Sequence, residues 1–207
     1  MKHKSFTTLL LIAFVGLISC SSKAQVQGTA SEEIDNESVL IVYLSRTDNT
    51  KAVAEIIHEE VDGEMVELKL ETPYPEDYDE IVAQVDRENE TGYLPSLETG
   101  IENIQEYDTV FIGFPTWDMQ LPPPIKSFLN ETNLRGKTVI PFNTNGGYGV
   151  GSSFQQLEDL CPNSNIPEGF STRGGLERDG IYLDIKGERR EEVHAEVVDW
   201  LQSMGIR

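Results

Sequence analysis

Val39-Leu40-Ile41-Val42-Tyr43-Leu44-Ser45-Arg46-Thr47-Asp48-Asn49-Thr50 is the stretch on which the reading of this chain turns. Its first five residues are continuously apolar, the pattern of a parallel strand covered on both faces. Ser45 to Thr50 is polar throughout, and beyond it Val53, Ile56, Ile57 and Val61 recur at helical spacing. Strand, polar loop and helix in that order open a βαβ unit. Thr109-Val110-Phe111-Ile112-Gly113 and Thr138-Val139-Ile140 repeat the buried-strand pattern. Met65 to Leu70 alternates apolar with charged residues after Val66, so it can bury only one face and reads as an edge strand. A weaker run from Ile166 to Thr172, interrupted by Pro167 and Gly169, suits the opposite edge.

Apolar stripes predict helices over residues 49–61, 76–87, 124–130, 153–161 and 191–204, while 88–106 reads as irregular. The whole is an α/β protein with a doubly wound, five-stranded parallel sheet in the order 2-1-3-4-5. That order places a ligand at the C-terminal ends of strands one and three, where the connections diverge to opposite faces. Chemistry is therefore expected in the loops after Tyr43, Phe114 and Phe142.

The first of these loops, Ser45 to Thr50, offers hydroxyls, an amide and the free N–H groups of a helix N-terminus, which together suit a phosphate. An ordinary turn with a helix cap uses the same residue types. It lacks both the G-x-x-x-x-G-K-[ST] and the G-x-G-x-x-G patterns. The second loop holds Pro115, Thr116 and Trp117, the third Asn143, Thr144, Asn145, Gly146, Gly147 and Tyr148. Alone, Trp117 reads as packing and the third loop as a surface hairpin; beside the first loop, Trp117 and Tyr148 suit a flat, largely apolar ring whose polar edge the glycines' backbone N–H groups can approach. Pro141 falls inside a strand otherwise read as central, where proline is normally excluded.

Ile41 to Thr50 followed by Ala54 resembles the flavodoxin signature, and the resemblance runs from about Val39 to Leu201. It includes Tyr74-Pro75-Glu76-Asp77-Tyr78 and Gly136-Lys137, and is nearest to flavodoxin-like proteins with a proline-rich loop after strand three. It implies a three-layer sandwich that binds FMN, with Ser45, Arg46, Thr47, Asn49 and Thr50 holding the phosphate. Asp48 stands where the family usually has glycine, and Asp118-Met119 where it commonly has tryptophan and glycine. The resemblance further implies an electron carrier with no catalytic acid or base. The alternatives are an NAD(P)H-dependent flavin or quinone reductase, and a binding protein that keeps the fold without redox work.

Residues 1–19 have the layout of a signal peptide: Lys2 and Lys4, an apolar run of about a dozen residues, then Leu17-Ile18-Ser19 before Cys20. The run is shorter than the roughly 20 residues a membrane span needs. Its end resembles the bacterial lipobox, which implies lipidation of Cys20 and an exported, membrane-anchored protein. Residues 20–37 read as a polar tether, and the domain as 38–207.

Formal net charge is −20, and loss of residues 1–19 leaves 14 basic against 36 acidic residues. Such a surface repels nucleic acid and anionic lipid, so the membrane is met through the lipid anchor alone. It favours a cationic redox partner protein. Cys161 reads as a buried helix-end residue, and His58 and His194 as solvent-facing helix residues that support no metal site.

Overall fold

The computed structural model describes residues 38–206. The signal peptide, Cys20 and the tether expected over residues 1–37 lie outside that range. Five strands, β1 (Val39–Tyr43), β2 (Glu64–Glu67), β3 (Thr109–Pro115), β4 (Thr138–Asn145) and β5 (Phe170–Arg173), pair in parallel in the order β2-β1-β3-β4-β5. The helices are α1 (Asn49–Val61), α2 (Tyr78–Thr91), α3 (Pro123–Glu131), α4 (Ser153–Leu160) and α5 (Glu188–Ser203).

The period of two along a strand divides the core in two. Val39, Ile41 and Tyr43 join Phe111, Ile140 and Phe142 beneath α1 and α5, while Leu40, Val42 and Leu44 join Val110, Ile112 and Phe114 beneath α3 and α4. Continuous apolarity in β1 thus reflects helices on both sides. Gly113 faces Phe142 across the β3–β4 ladder, and a Cβ there would lie 2.1 Å from the Phe142 ring. The missing side chain makes room for the phenyl group within the layer.

Pro141 sits in a central strand because its missing N–H falls in a gap. Thr138 N–H bonds Asp108 on the β3 side, and Val139 N–H bonds Asn165 on the β5 side. Alternation turns position 141 toward the β5 side, where pairing resumes only at Phe142↔Phe170. The proline ring instead packs beside Gly169.

Several boundaries differ from the sequence reading. β2 ends at Glu67 because Lys69 and Leu70 pair with Leu97 to Thr99 rather than with the sheet. α2 starts at Tyr78, where the Asp77 side chain accepts from Glu80 N–H at 3.0 Å, and continues to Thr91 before Gly92 closes it at φ 66°. Its last turn escapes a hydropathy reading because the inward position is Glu88, buried and held by Gln84 at 2.8 Å and by the Tyr74 hydroxyl. A short 3-10 turn at Ile104–Glu106 also lies in the segment read as irregular. α5 begins at Glu188, ahead of its first apolar residue.

Cys161 caps α4 and is buried, which pushes its thiol up to about 11. Neither helix histidine is fully solvent-facing, although His194 keeps 35% of its side chain exposed. His58 is half-buried with Nδ1 enclosed, and His194 lies 2.8 Å from Glu60 at the α1–α5 contact, alongside an Arg190–Glu59 pair at 2.7 Å. Two acidic residues ending α1 draw the basic residues of α5 inward.

Candidate functional site

The three loops meet at the C-terminal ends of β1, β3 and β4 around one cavity of about 460 Å³, within the usual range for small-molecule sites. Its wall includes Arg46, Thr47, Asn49 and Thr50 from the first loop, Pro115, Thr116 and Trp117 from the second, and Thr144, Asn145, Gly146 and Tyr148 from the third. Ser45, Asn143 and Gly147 stand behind that wall.

Ser45 Oγ accepts from Lys51 N–H at 3.2 Å, so it fastens the loop to α1. The helical ladder begins only with Ala52 N–H to Asp48 C=O at 2.9 Å, which puts Asn49 and Thr50 N–H ahead of it at the cavity. Thr50 and Thr144 share a buried hydroxyl pair at 2.8 Å, joining the first loop to the third. Asp48 takes up the left-handed conformation, φ 59° and ψ 2°, and its exposed carboxylate makes no capping bond. The backbone therefore keeps the geometry natural to glycine although the residue is aspartate.

Two side chains of this loop, though at the cavity wall, are taken up by other protein partners. Arg46 donates to Glu177 at 2.8 to 3.0 Å, to Pro75 C=O at 2.8 Å and to Glu76 C=O at 2.6 Å. Asn49 donates to Thr47 Oγ1 at 2.9 Å and Tyr182 C=O at 2.6 Å, and accepts from Asp184 and Ile185 N–H at 2.9 and 3.1 Å. Both hold the chain that follows β5. That chain turns back on itself through an isolated antiparallel bridge, Leu176↔Ile181, around a 3-10 turn at Glu177–Asp179.

Trp117 is half-buried, edge-on to Tyr74 with centroids 5.3 Å apart. Burial first, and then the bond to Glu88, hold the Tyr74 phenol above its ordinary range. Thr116 Oγ1 donates to Gly149 C=O at 3.0 Å and accepts from Asn143 Nδ2 at 3.0 Å. Asn143 is wholly buried and also bonds Phe114 C=O at 3.0 Å. Asn145 Oδ1 gathers the N–H groups of Gly147 and Gly149 at 2.9 and 3.1 Å, which sets the shape of the glycine loop. Tyr148 is exposed and accepts from Arg178 at 3.1 Å.

Sequence reasoning missed two walls. One is Gly174 to Arg178, for which the Gly174-Gly175 pair was the available signal. A Cβ on Gly175 would lie 1.8 Å from Tyr182 C=O, so only glycine permits that turn. The other is the face of α2 carrying Tyr78, Ile81, Val82 and Val85. Those residues read as an ordinary amphipathic stripe.

Carboxylates gather at the same end of the sheet. Burial, followed by Glu67, Glu55 and Asp48, pushes the Tyr43 phenol up to about 12.

A doubly wound sheet with a concave cavity at its topological switch point is the architecture of flavodoxin-like α/β proteins. The flavodoxin family model matches residues 38–184, and the chain belongs to that family. Among solved structures, a candidate flavoprotein from Bacteroides eggerthii DSM 20697 is 28% identical with a TM-score of 0.66, over 82% of this chain and 99% of that one. One from Bacteroides uniformis ATCC 8492 is 27% identical with a TM-score of 0.65, over 79% and 99%. A flavoprotein from Lactobacillus acidophilus NCFM, solved in complex with FMN, shares the fold at 24% identity and TM-score 0.59, over 66% and 93%. No curated protein matches the chain.

Proposed function

We propose that the cavity binds FMN and that the protein is an electron carrier tethered to a bacterial membrane through Cys20. The observation that carries the flavin reading is the convergence of three separate loops on one cavity at the switch point. Family membership and the FMN complex of the Lactobacillus acidophilus protein support it.

The residues present fit the group. Thr47, Asn49 and Thr50 bring hydroxyls and first-turn N–H groups for the phosphate. Trp117 and Tyr148 bring aromatic faces for the ring, and Gly146, whose Cβ would lie 2.7 Å from Leu176, gives its polar edge a bare backbone to approach. A bound flavin supplies one- and two-electron transfer, which needs no acid or base from the chain. The overall acidity of the chain disfavours added negative charge on the flavin and so lowers the reduction potential. The overall acidity steers a cationic protein partner, with a salt-sensitive rate of encounter.

In fluorescence titrations FMN is expected to bind at least about tenfold more tightly than riboflavin, the value of charge-assisted bonds to a phosphate. Equal affinities would remove the phosphate from the first loop. NADPH oxidation supported by a quinone would move the protein to the reductases. For the tether, Cys20→Ala is expected to release the protein from the membrane fraction of cells. A variant that still sediments with membranes would sink the lipid-anchor reading.

A further inference from the structure

We propose that Arg46 is a latch rather than a phosphate ligand, and that its pairing with Glu177 positions the Gly174–Tyr182 hairpin as a wall of the cavity. This rests on the flavin reading for its ligand. It departs from that reading in what it asks of Arg46.

A guanidinium has five N–H donors. Four are committed here: Nε to the Glu177 carboxylate, one on Nη1 to Pro75 C=O, and two on Nη2 to Glu76 C=O and Glu177 Oε1. The paired side chains are only 19% and 14% exposed. One N–H remains, which forbids the two-pronged grip by which arginine recognises phosphate. Three segments that share no sheet pairing are instead held at one point: the first loop, the approach to α2, and the hairpin.

The base of the hairpin is fixed independently. Gly174 N–H bonds Asn145 C=O at 2.9 Å, and Asn49 grips Tyr182, Asp184 and Ile185. Among the described residues its tip has two side-chain ties, Arg46 to Glu177 and Arg178 to Tyr148. The second tie is exposed, and Arg178 also leans on its neighbour Asp179 at 3.1 Å, so it holds little by itself. The Arg46–Glu177 pair is the tie that sets where the tip stands.

The test is a double-mutant cycle of Arg46→Ala and Glu177→Ala, with Glu177→Gln keeping the side-chain size. A latch makes each single variant weaken FMN and riboflavin by the same factor, about ten- to a hundredfold, and makes the double variant no weaker than the worse single one. Without any flavin, amide exchange over residues 174–182 should rise at least about tenfold in each variant while the β1 and β3 amides keep their protection. Tighter FMN binding by Glu177→Ala, with riboflavin unchanged, would mean that Glu177 restrains a phosphate-binding arginine, and the latch is wrong. Unchanged exchange over 174–182 also overturns it, whatever the titrations give. If the wild-type protein binds neither flavin, the function falls while the exchange result still decides the latch.

Discussion

Asn49→Ala is expected to destabilise the ligand-free protein by about 3–5 kcal/mol, lowering Tm by roughly 10 °C, and to abolish measurable flavin binding. The side chain is 3% exposed and every one of its polar atoms is used. Truncation strands Asp184 and Ile185 N–H and Tyr182 C=O, and Ile185 is itself buried. An unsatisfied buried group costs about 1–3 kcal/mol, and three together reach the stated sum once partial rehydration at the exposed positions is allowed for. Helix propensity works the other way, since alanine is the better helix former by a few tenths of a kcal/mol, too little to matter. Urea denaturation monitored by circular dichroism measures the loss. Asn49→Asp is the informative companion: it keeps the oxygen that accepts from Asp184 and Ile185 N–H but sets a carboxylate against Tyr182 C=O, and should fall between alanine and the native residue. A melt of Asn49→Ala within 2 °C of the native protein, taken with about 2–4 °C per kcal/mol for a domain of this size, would show that the chain after β5 is held by other contacts.

Asn49 also shows where a sequence reading stops. Its position after β1, at the head of a helix, was legible because an apolar strand, polar loop and apolar stripe follow one another with distinct periods. The fold and the three loops could be placed on that basis. What Asn49 and Arg46 do could not, because, Thr47 aside, their partners lie 29 to 136 residues away and are backbone groups and one glutamate. Local pattern carries no record of a long-range hydrogen bond. The same limit hid the last turn of α2, where Glu88 fills an inward position through bonds to Tyr74 and Gln84. Pro141 was the converse case, a residue that broke a strand rule until the gap in the facing ladder was seen.

The substituted second loop leads to the other large effect. Asp118 and Met119 both have positive φ, 49° and 53°, between Trp117 and Gln120, whose bridge and 3.0 Å bond close a two-residue turn of the mirror-image type. Glycine or asparagine is usual there, so the turn must be held from outside. Asn89 of α2 reaches Asp118 at 3.1 Å, and Ser152 N–H reaches Met119 C=O at 2.9 Å. The second contact depends on Gly151: a Cβ there would lie 2.0 Å from the Met119 carbonyl oxygen, and its φ is +57°.

Gly151→Ala is accordingly expected to cost about 2–4 kcal/mol, roughly 1 kcal/mol from the left-handed backbone and the rest from overpacking against main chain that cannot rotate away. The damage should be local, because Gly151 touches the turn and not the sheet. In a Trp200→Phe background the emission of Trp117 should therefore shift to longer wavelength in the ligand-free protein, while the far-ultraviolet dichroism stays native. Flavin affinity should fall by about tenfold or more, since the wall that Trp117 forms is no longer fixed. Met119→Gly provides the opposite sign: it relieves a strained φ and leaves the carbonyl where Ser152 can reach it, so stability should rise by about 1 kcal/mol. Were Gly151→Ala to melt and bind flavin like the native protein, the approach of Gly151 to Met119 would not be what holds the turn, and the strain at Asp118 and Met119 would have to be borne by the bonds that Asn89 and Gln120 donate to Asp118.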